Sequence, residues 1–440
     1  MPIASNASQV FASSFRALGN ALGTARRGCA LIFWTVTGLL AFAARNAANA
    51  RQAYRKPSKV IAAEELVLFA RRAGGAWAKI LQILSTRRDV VSEDAAAILA
   101  TVTQQVGGRE PPNVHRRIAD HLQFRGVDVQ HLSIQPIASG SIAFVYKITA
   151  AGLDFPLALK LRRPGIIRTL ARDFALLGHA ANLLRRFPAL AHLPLPAMAR
   201  SFSETIERQS DFSLEAAYIA RFGDKFARSN CRIARVIPAL SSEDMLFMAF
   251  EEERFEIDSV TPRFGIGAYQ NLVRCVYEMI FVHGLFHCDV HPGNVFFDAR
   301  GNALFLDLGI VKEITEDERE DLADFFLCIA LNRGKRAADT LLAKATTIPP
   351  GIDRAQFRRE IADVVRRSSG LKAGQFSAVS FVVQLFDVMR SHGIVGTADF
   401  IWMIAVLVTL EGPVKAAYPD LDFQRIAVDV ITASRGVPVE

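Results

Sequence analysis

Two carboxylates and one amide lie at spacings that suit the binding of a divalent cation on a nucleotide triphosphate. Asp289 and Asn294 fall in residues 287–294, which read HCDVHPGN, and Asp307 opens an Asp-Leu-Gly triplet thirteen positions further on. Mg²⁺ prefers hard oxygen ligands and keeps several waters, so one carboxylate and one amide oxygen are a reasonable contribution from a protein. We therefore predict that Asn294 and Asp307 bind Mg²⁺.

The residues between Asn294 and Asp307 predict the element that positions both. The apolar runs 295–297 and 303–306 flank 298–302, which read DARGN and are typical of a hairpin turn. Two such strands would carry Asn294 into a site on one side and Asp307 out of it on the other.

The order of these residues is similar to that in protein kinases, where a catalytic Asp and a Mg²⁺-binding Asn in H-R-D-L-x-x-x-N precede the Mg²⁺-binding Asp of D-F-G. The resemblance gives Asp289 the role of orienting the nucleophile. Upstream, residues 137–146 read IASGSIAFVY and residues 157–160 read LALK, at the places of the kinase phosphate loop and its lysine strand. The predicted nucleotide-binding residues of this loop are Ala138, Ser139, Gly140, Ser141, Ala143 and Val145.

Lys160 is predicted to order the phosphates of ATP, because an ammonium on an apolar strand is costly without a phosphate or carboxylate partner. The partner that we expect is Glu215. It lies in the helical stretch 211–217, which fits the role of the kinase αC helix.

The alanine-rich loop and the HxDxHPGN stretch resemble the UbiB family of atypical protein-kinase-like ATPases, which are linked to ubiquinone and other isoprenoid-lipid pathways. The resemblance runs from about Glu64 to the end of the chain. It implies that Lys79, Gln82 and Asp211 form a lid over the active site, in which the lysine of a K-x-G-Q motif pairs with the carboxylates of an E-x-D motif.

Three departures from the family pattern affect the predicted site, two of them in the lid and one in the phosphate loop. Residues 79–82 read KILQ, so that Leu81 replaces the motif's glycine, and residues 209–211 read QSD, so that Gln209 replaces a carboxylate. Gly140 stands where the family usually has alanine. These changes lead to the hypothesis that the lid is held less tightly and that some autophosphorylation accompanies ATP hydrolysis, although Leu81 could instead pack the lid harder.

The resemblance implies an enzyme that binds Mg²⁺ and ATP and hydrolyses ATP to support the synthesis of isoprenoid or quinone-type lipids at a membrane. Its expected partners are such a lipid, the membrane surface and enzymes of a lipid-biosynthetic complex. Two alternatives remain open at this point. One is a phosphotransferase that acts on a protein or small molecule, and the other is a nucleotide-binding scaffold.

Charge is concentrated at the N-terminal end. Up to Ala63 the chain has eight lysines and arginines and no acid, while the whole chain has 52 cations against 44 anions. The remainder is therefore formally neutral, which argues against a nucleic-acid partner. The uncharged segment 28–44 is a candidate single-pass or re-entrant anchor, with an interfacial helix, a cleaved leader and a core helix as alternatives. The cations that follow it favour a cytoplasmic catalytic domain.

The pattern as a whole predicts an α+β, protein-kinase-like two-lobed fold with an N-terminal helical extension and a mostly helical C-terminal lobe. The predicted domains are a basic leader at 1–63, a helical lid extension at 64–112, a small lobe with an insert at 113–255 and a large lobe at 256–440. The five cysteines are scattered and contain no C-x-x-C pair, so that neither a zinc site nor a disulfide framework is predicted.

Overall fold

The structure is a computed structural model of the 440-residue chain. It describes residues 4–51, 56–74, 77, 81, 94–95, 98–99, 101, 110, 112–184, 186, 195–227, 229–257, 262–290, 293–345, 347–394, 406 and 410–436, with the backbone alone at 4–22, 184, 195, 197–198, 201–202 and 379. These residues form two compact units. The first comprises 1–212 and 239–247, and the second comprises 213–238 and 248–440.

The first unit is built on a sheet with strand order β1-β2-β3-β5. Its strands are β1 (Ser133–Ser139), β2 (Ala143–Thr149), β3 (Leu157–Arg162) and β5 (Met245–Ala249), the last of which continues into the second unit. β2 and β3 alternate strictly, with Phe144, Tyr146 and Ile148 among the buried residues of β2. This period of two puts one face of the sheet on the core and leaves the other face half-exposed.

The helices of the first unit lie in two parts of the chain, one that precedes β1 and one that forms an insert after β3. They are α1 (Ala4–Asn49), α2 (Ser58–Ala73), α3 (Val114–Phe124), α4 (Ile166–Leu184) and α5 (Leu195–Gln209). α2 ends at Gly74, whose φ of 60° is a conformation that glycine adopts without a Cβ penalty. The sequence pattern predicts a helical break at Gly74-Gly75 and a short helix over 114–124, and the structure confirms the break at Gly74 and this helix.

The second unit opens with α6 (Phe212–Phe226) and contains two small sheets. The sheet β4-β9-β8-β6 consists of β4 (Cys231–Ile233), β6 (Arg254–Glu256), β8 (Val295–Asp298) and β9 (Ala303–Phe305), and the ribbon β10-β7 consists of β7 (Leu285–His287) and β10 (Val311–Glu313). The predicted hairpin over 295–306 is confirmed, with Val295 opposite Phe305.

The turn of this hairpin is rigid. The buried carboxylate of Asp298 accepts hydrogen bonds from the backbone N–H groups of Arg300 and Asn302 and from the Asn302 side chain. Burial by itself would raise the pKa of Asp298, but these hydrogen bonds outweigh it and hold the pKa below its ordinary value. Gly301 completes the turn with a φ of 81°.

Helices form the rest of the second unit. They are α7 (Ile266–Tyr277) with a π-helical turn (Glu278–Val282), α8 (Glu316–Ala330), α9 (Gly334–Ala343), α10 (Arg354–Ser368), α11 (Ala378–Ser391) and α12 (Phe423–Ser434). Thr315 caps α8 by accepting from the Glu318 N–H, and Glu318 in turn accepts from the Thr315 N–H. A threonine followed by three acids, as at 315–318, is typical of a capped helix start, and the capping box confirms this prediction.

The predicted domain boundaries stay predictions, and the predicted small lobe at 113–255 contains residues of both units. The apolar run 400–410, for which the sequence predicts a buried core helix, lies mostly outside the described residues. Val406 and Leu410, which are described, are helical and buried.

Candidate functional site

The predicted phosphate loop is the tight turn between β1 and β2. The N–H of Gly140 donates to the carbonyl of Ala143 over 2.9 Å, which closes the turn. Ala138 lies opposite Val145, and Val145 lies opposite Lys160. Residues in register on neighbouring strands share a face of the sheet, so these three predicted nucleotide-binding residues form one row on the half-exposed face.

Lys160 lies within β3 and not at its end, and its side chain is half-buried. Its neighbours Leu159 and Leu161 point into the core and are fully buried. This position differs from that of an ordinary surface lysine, because the strand holds the side chain on the same face as the loop.

Arg163 braces the loop, a role that the sequence analysis did not assign. Its Nε donates to the carbonyl of Gly140 over 2.8 Å, and its Nη2 donates to the Ser139 hydroxyl over 2.7 Å. The guanidinium also lies 4.2 Å from the centre of the Phe144 ring. Burial lowers the pKa of Arg163. The signal in the sequence that could have indicated this role is the position of Arg163, three residues after Lys160.

Gly140 does not need to be glycine for steric reasons. Its φ is not in the left-handed region, and an added Cβ would meet only the Ala143 carbonyl oxygen at 3.5 Å, an ordinary contact. The loop would therefore accept the alanine that is usual in the family, so Gly140 is a suitable position for a test of function.

In the second unit the hairpin β8–β9 places two predicted Mg²⁺ ligands at the same end. Asn294 directly precedes β8, and its carbonyl accepts from the N–H of Leu306, the residue before Asp307, over 3.0 Å. The ribbon β7–β10 joins the far ends of the loop that precedes β8 and the loop that follows β9, because His287 lies opposite Val311. Antiparallel pairing thus brings together residues that are thirteen positions apart in sequence.

Asn294 also contacts the predicted catalytic carboxylate. Its Nδ2 donates to the carbonyl of Asp289 over 3.0 Å and to the Asp289 Oδ2 over 3.3 Å. The amide nitrogen is therefore used to hold Asp289, and the amide oxygen is the atom of Asn294 that can ligate a cation. The Asp289 carboxylate is half-buried, as expected for a group that must reach a substrate.

Asp307 is oriented by its own loop, because its Oδ1 accepts from the N–H of Gly309 over 2.9 Å. A carboxylate and an amide oxygen are a hard donor set that fits Mg²⁺. Such an ion would neutralise charge on the phosphate oxygens of a nucleotide. Within the described ranges there is no group of three or more His, Cys, Asp or Glu side chains that could hold a metal.

Glu215 lies in the first turn of α6, is 3% exposed, and accepts from the N–H of Leu308 over 3.4 Å. It therefore supports the Asp-Leu-Gly loop. Lys160 belongs to the first unit and Glu215 to the second, and their pairing stays a prediction. Lys79, Gln82 and His291 lie outside the described residues.

His287 and Cys288, two further residues of the catalytic loop, have surroundings that fit a structural role. His287 is buried, and its Nδ1 lies 3.3 Å from the Ile310 carbonyl oxygen and 3.4 Å from the Asp289 backbone nitrogen. Burial raises the pKa of the Cys288 thiol to about 12, which keeps the group protonated at neutral pH and unreactive as a nucleophile.

The loop 138–145 with Lys160 is the arrangement that a protein-kinase-like fold provides for nucleotide phosphates. Asp289, Asn294 and Asp307 form the arrangement that such a fold provides for the metal ion. A profile of the ABC1 atypical kinase-like domain matches residues 127–341. Curated relatives include proteins named "Probable protein kinase UbiB" from Shewanella halifaxensis (strain HAW-EB4) and Shewanella pealeana (strain ATCC 700345 / ANG-SQ1). Each is 26% identical, over 388 and 386 residues respectively, and each match covers 83% of this chain and 69% of the relative. The chain thus contains an ABC1 atypical kinase-like domain and is similar over most of its length to proteins named UbiB, which confirms the resemblance that its motifs predicted.

A solved structure described as the complex structure of Rv3197-erythromycin from Mycobacterium tuberculosis is similar to this chain with a TM-score of 0.53. The likeness covers 83% of this chain and 94% of that one at 15% sequence identity, so it concerns the fold alone. The predicted α+β, protein-kinase-like fold class is confirmed.

Proposed function

We propose that this chain binds MgATP and hydrolyses it in support of isoprenoid-quinone, ubiquinone-type lipid biosynthesis at a membrane. The observation that carries the nucleotide chemistry is the hairpin end that joins Asp289 and Asn294 by hydrogen bonds and brings in Asp307. The names of the UbiB relatives support the biosynthetic role. The lipid, the membrane surface and enzymes of a biosynthetic complex are the proposed partners.

In this mechanism Asn294 and Asp307 would hold Mg²⁺, and the ion would neutralise charge on the phosphate oxygens when bound. Lys160 and the loop 138–145 would order the phosphates, and Asp289 would orient the attacking water. Lys79, Gln82 and Asp211 would form the lid. Gln209 has a buried amide oxygen without a partner among the described residues, and this acceptor is suited to a lid lysine.

The test is phosphate release from MgATP by the full chain on lipid vesicles, with wild type beside Asp307→Asn. The variant should lose at least about 100-fold in rate, since a lost metal ligand removes roughly 3 kcal/mol of transition-state stabilisation. Asp154→Asn, at an exposed loop position, is the matched control and should retain wild-type activity. Equal release from wild type and Asp307→Asn would contradict the proposal.

Phosphotransfer to a protein or small molecule is the second candidate, and Gly140 is the observation that favours it. Glycine at this place lets backbone approach phosphate more closely, as in ordinary kinases. With labelled ATP, the candidate predicts labelled protein from wild type and less label in Gly140→Ala. Equal or absent labelling in both would exclude autophosphorylation. MgATP binding without phosphate release or labelled product would leave a nucleotide-binding scaffold.

A further inference from the structure

The outward face of α1 is an unbroken apolar stripe. Ile32, Phe33, Leu39 and Leu40 are each 63–65% exposed and Val36 is 49% exposed. Exposed alanines extend the same face to Ala47 and Ala48. Positions 29, 32, 33, 36, 39, 40, 43, 44 and 47 recur at helical spacing, so they lie along one side of the helix over about 27 Å. We call this side, from Cys29 to Ala48, the outer stripe.

The opposite face of α1 is docked on the protein at two places, near the middle of the helix at Arg27 and near its C-terminal end at Arg45. Arg27 forms a bidentate pair with Asp173 of α4, at 2.7 and 3.1 Å, and also donates to the carbonyl of Ala73 at the end of α2. Asp173 is 1% exposed, so the pair is shielded from water. Near the C-terminal end of α1, Arg45 pairs with Glu64 and Glu65 near the start of α2. These two ion-paired sites hold the segment from Arg27 to Arg45 lengthwise against α2 and α4.

Residues 23–49 form a helix long and apolar enough to cross a bilayer by length and composition. The docked face argues against a crossing. A helix that entered the hydrocarbon along this length would take α2 with it, including the charged residues Glu64, Glu65, Arg71 and Arg72, which is costly in lipid. It would also have to carry α4 or break the buried Arg27–Asp173 pair. α4 is held in the first unit by Ile166, Leu170 and Phe174 in one core cluster.

Charge and hydrogen bonding on the outer side match an anionic lipid surface. Of the eight cations up to Ala63, Arg27 and Arg45 form the ion pairs of the docked face. Arg26, Arg51 and Lys59 are exposed near the two ends of the stripe. The hydroxyl of Thr35, which lies on the exposed side, donates to the carbonyl of Leu31 within the same helix. The stripe could therefore enter the boundary between headgroups and acyl chains without leaving the Thr35 hydroxyl group unsatisfied.

We propose that α1 lies in the plane of an anionic lipid surface, with the outer stripe inserted and the inner face still docked on α2 and α4, and that it does not span the bilayer. This deepens the membrane part of the proposed function and needs no nucleotide chemistry. The attachment can therefore be tested independently of ATP hydrolysis.

The first experiment measures depth along the stripe. The full chain carries an environment-sensitive maleimide at native Cys29 or, in a Cys29→Ser background, at Phe33→Cys, Val36→Cys, Leu40→Cys or Ala47→Cys. It is reconstituted in vesicles of phosphatidylcholine and phosphatidylglycerol with nitroxide quenchers at shallow or deep acyl positions. Cys288 should not compete, because burial raises the pKa of its thiol to about 12.

An in-plane helix predicts similar, shallow depths at all five positions. A spanning helix predicts probes that are deepest near position 36 and shallow at both ends, and that profile would overturn the proposal. Absence of quenching at every position would also overturn it, and would assign the stripe to a protein partner or a second copy of the chain.

The second experiment measures partitioning onto the same vesicles. Phe33→Asp with Leu40→Asp should lower the partition coefficient at least tenfold, and phosphate release without vesicles should stay at the wild-type rate. Phe124→Asp is the matched control, since Phe124 is 85% exposed and belongs to α3 and not to the stripe on α1, and it should bind like wild type. Unchanged binding by the double variant, with its helical content intact, would overturn the proposal.

Discussion

At the residue scale, the types and spacings in the catalytic loop indicated the chemistry, and the structure shows how the groups hold one another. Asn294 serves two purposes, because its amide nitrogen fixes Asp289 while its oxygen can ligate Mg²⁺. Glu215 supports Leu308, the residue after Asp307. Such mutual bonding limits side-chain freedom before a substrate binds, which is how enzymes reduce the entropic cost of positioning.

Arg163 is expected to act as a positioning residue for the phosphate loop. Arg163→Gln removes charge-assisted hydrogen bonds to Gly140 and Ser139, each worth roughly 1.5–3 kcal/mol. We expect KM for ATP to rise about tenfold or more, with a smaller change in kcat, and Arg163→Lys to recover part of the loss. Arg168→Gln, at an exposed position of α4, should match wild type. An unchanged KM in Arg163→Gln would show that the loop holds its shape without the brace.

At the element scale, the altered K-x-G-Q motif has a packing explanation. Leu81 is helical, 5% exposed, and lies in a core cluster with Ala63, Val67, Ala70, Ala95 and Leu99. The side chain that replaces the family's glycine therefore fastens its helix to α2. Of the two alternatives, a loosened lid and an extension that Leu81 packs more tightly, this contact supports the second.

Leu81→Gly, which restores the family residue, is expected to destabilise the N-terminal extension by about 3–5 kcal/mol. The loss combines a cavity in a buried cluster with the poor helix propensity of glycine. Chemical denaturation followed by circular dichroism would measure it, and Leu81→Met, which conserves volume, should cost less than about 1.5 kcal/mol. A Leu81→Gly variant as stable as wild type would mean that the cluster contributes little.

At the scale of the whole molecule, charge is distributed unevenly. Eight cations and no acid precede Glu64, and the rest of the chain is balanced. The first unit therefore carries a basic end next to the outer stripe of α1, whereas the second unit lacks a comparable excess. This asymmetry favours a charged lipid surface over a broad nucleic-acid interface as the partner.

Salt should weaken attachment to anionic vesicles, because exposed cations are screened within about 8–10 Å near physiological ionic strength. Raising the ionic strength from about 0.05 to about 0.5 M should lower the partition coefficient roughly tenfold, the loss of about 1.4 kcal/mol. The measurement is vesicle co-sedimentation of the full chain, with pure phosphatidylcholine vesicles as control. Binding that is insensitive to salt and to lipid charge would leave apolar insertion as the whole driving force.

The sequence by itself determined the features that depend on local patterns. The β8–β9 hairpin followed from a turn sequence between apolar runs and the start of α8 from a capping box, and residue types at short spacings predicted the candidate catalytic set. Only the tertiary structure decided the features that depend on distant partners. Arg163 became the brace of the loop because β3 pairs with β2, and Leu81 became a core residue because α2 lies beside it. The orientation of α1 rests on Asp173, 146 positions away from Arg27. The periodicity of a single helix cannot distinguish a lipid-facing side from one that is docked on protein, because both are apolar. The buried ion pair shows which side of α1 is docked on the protein.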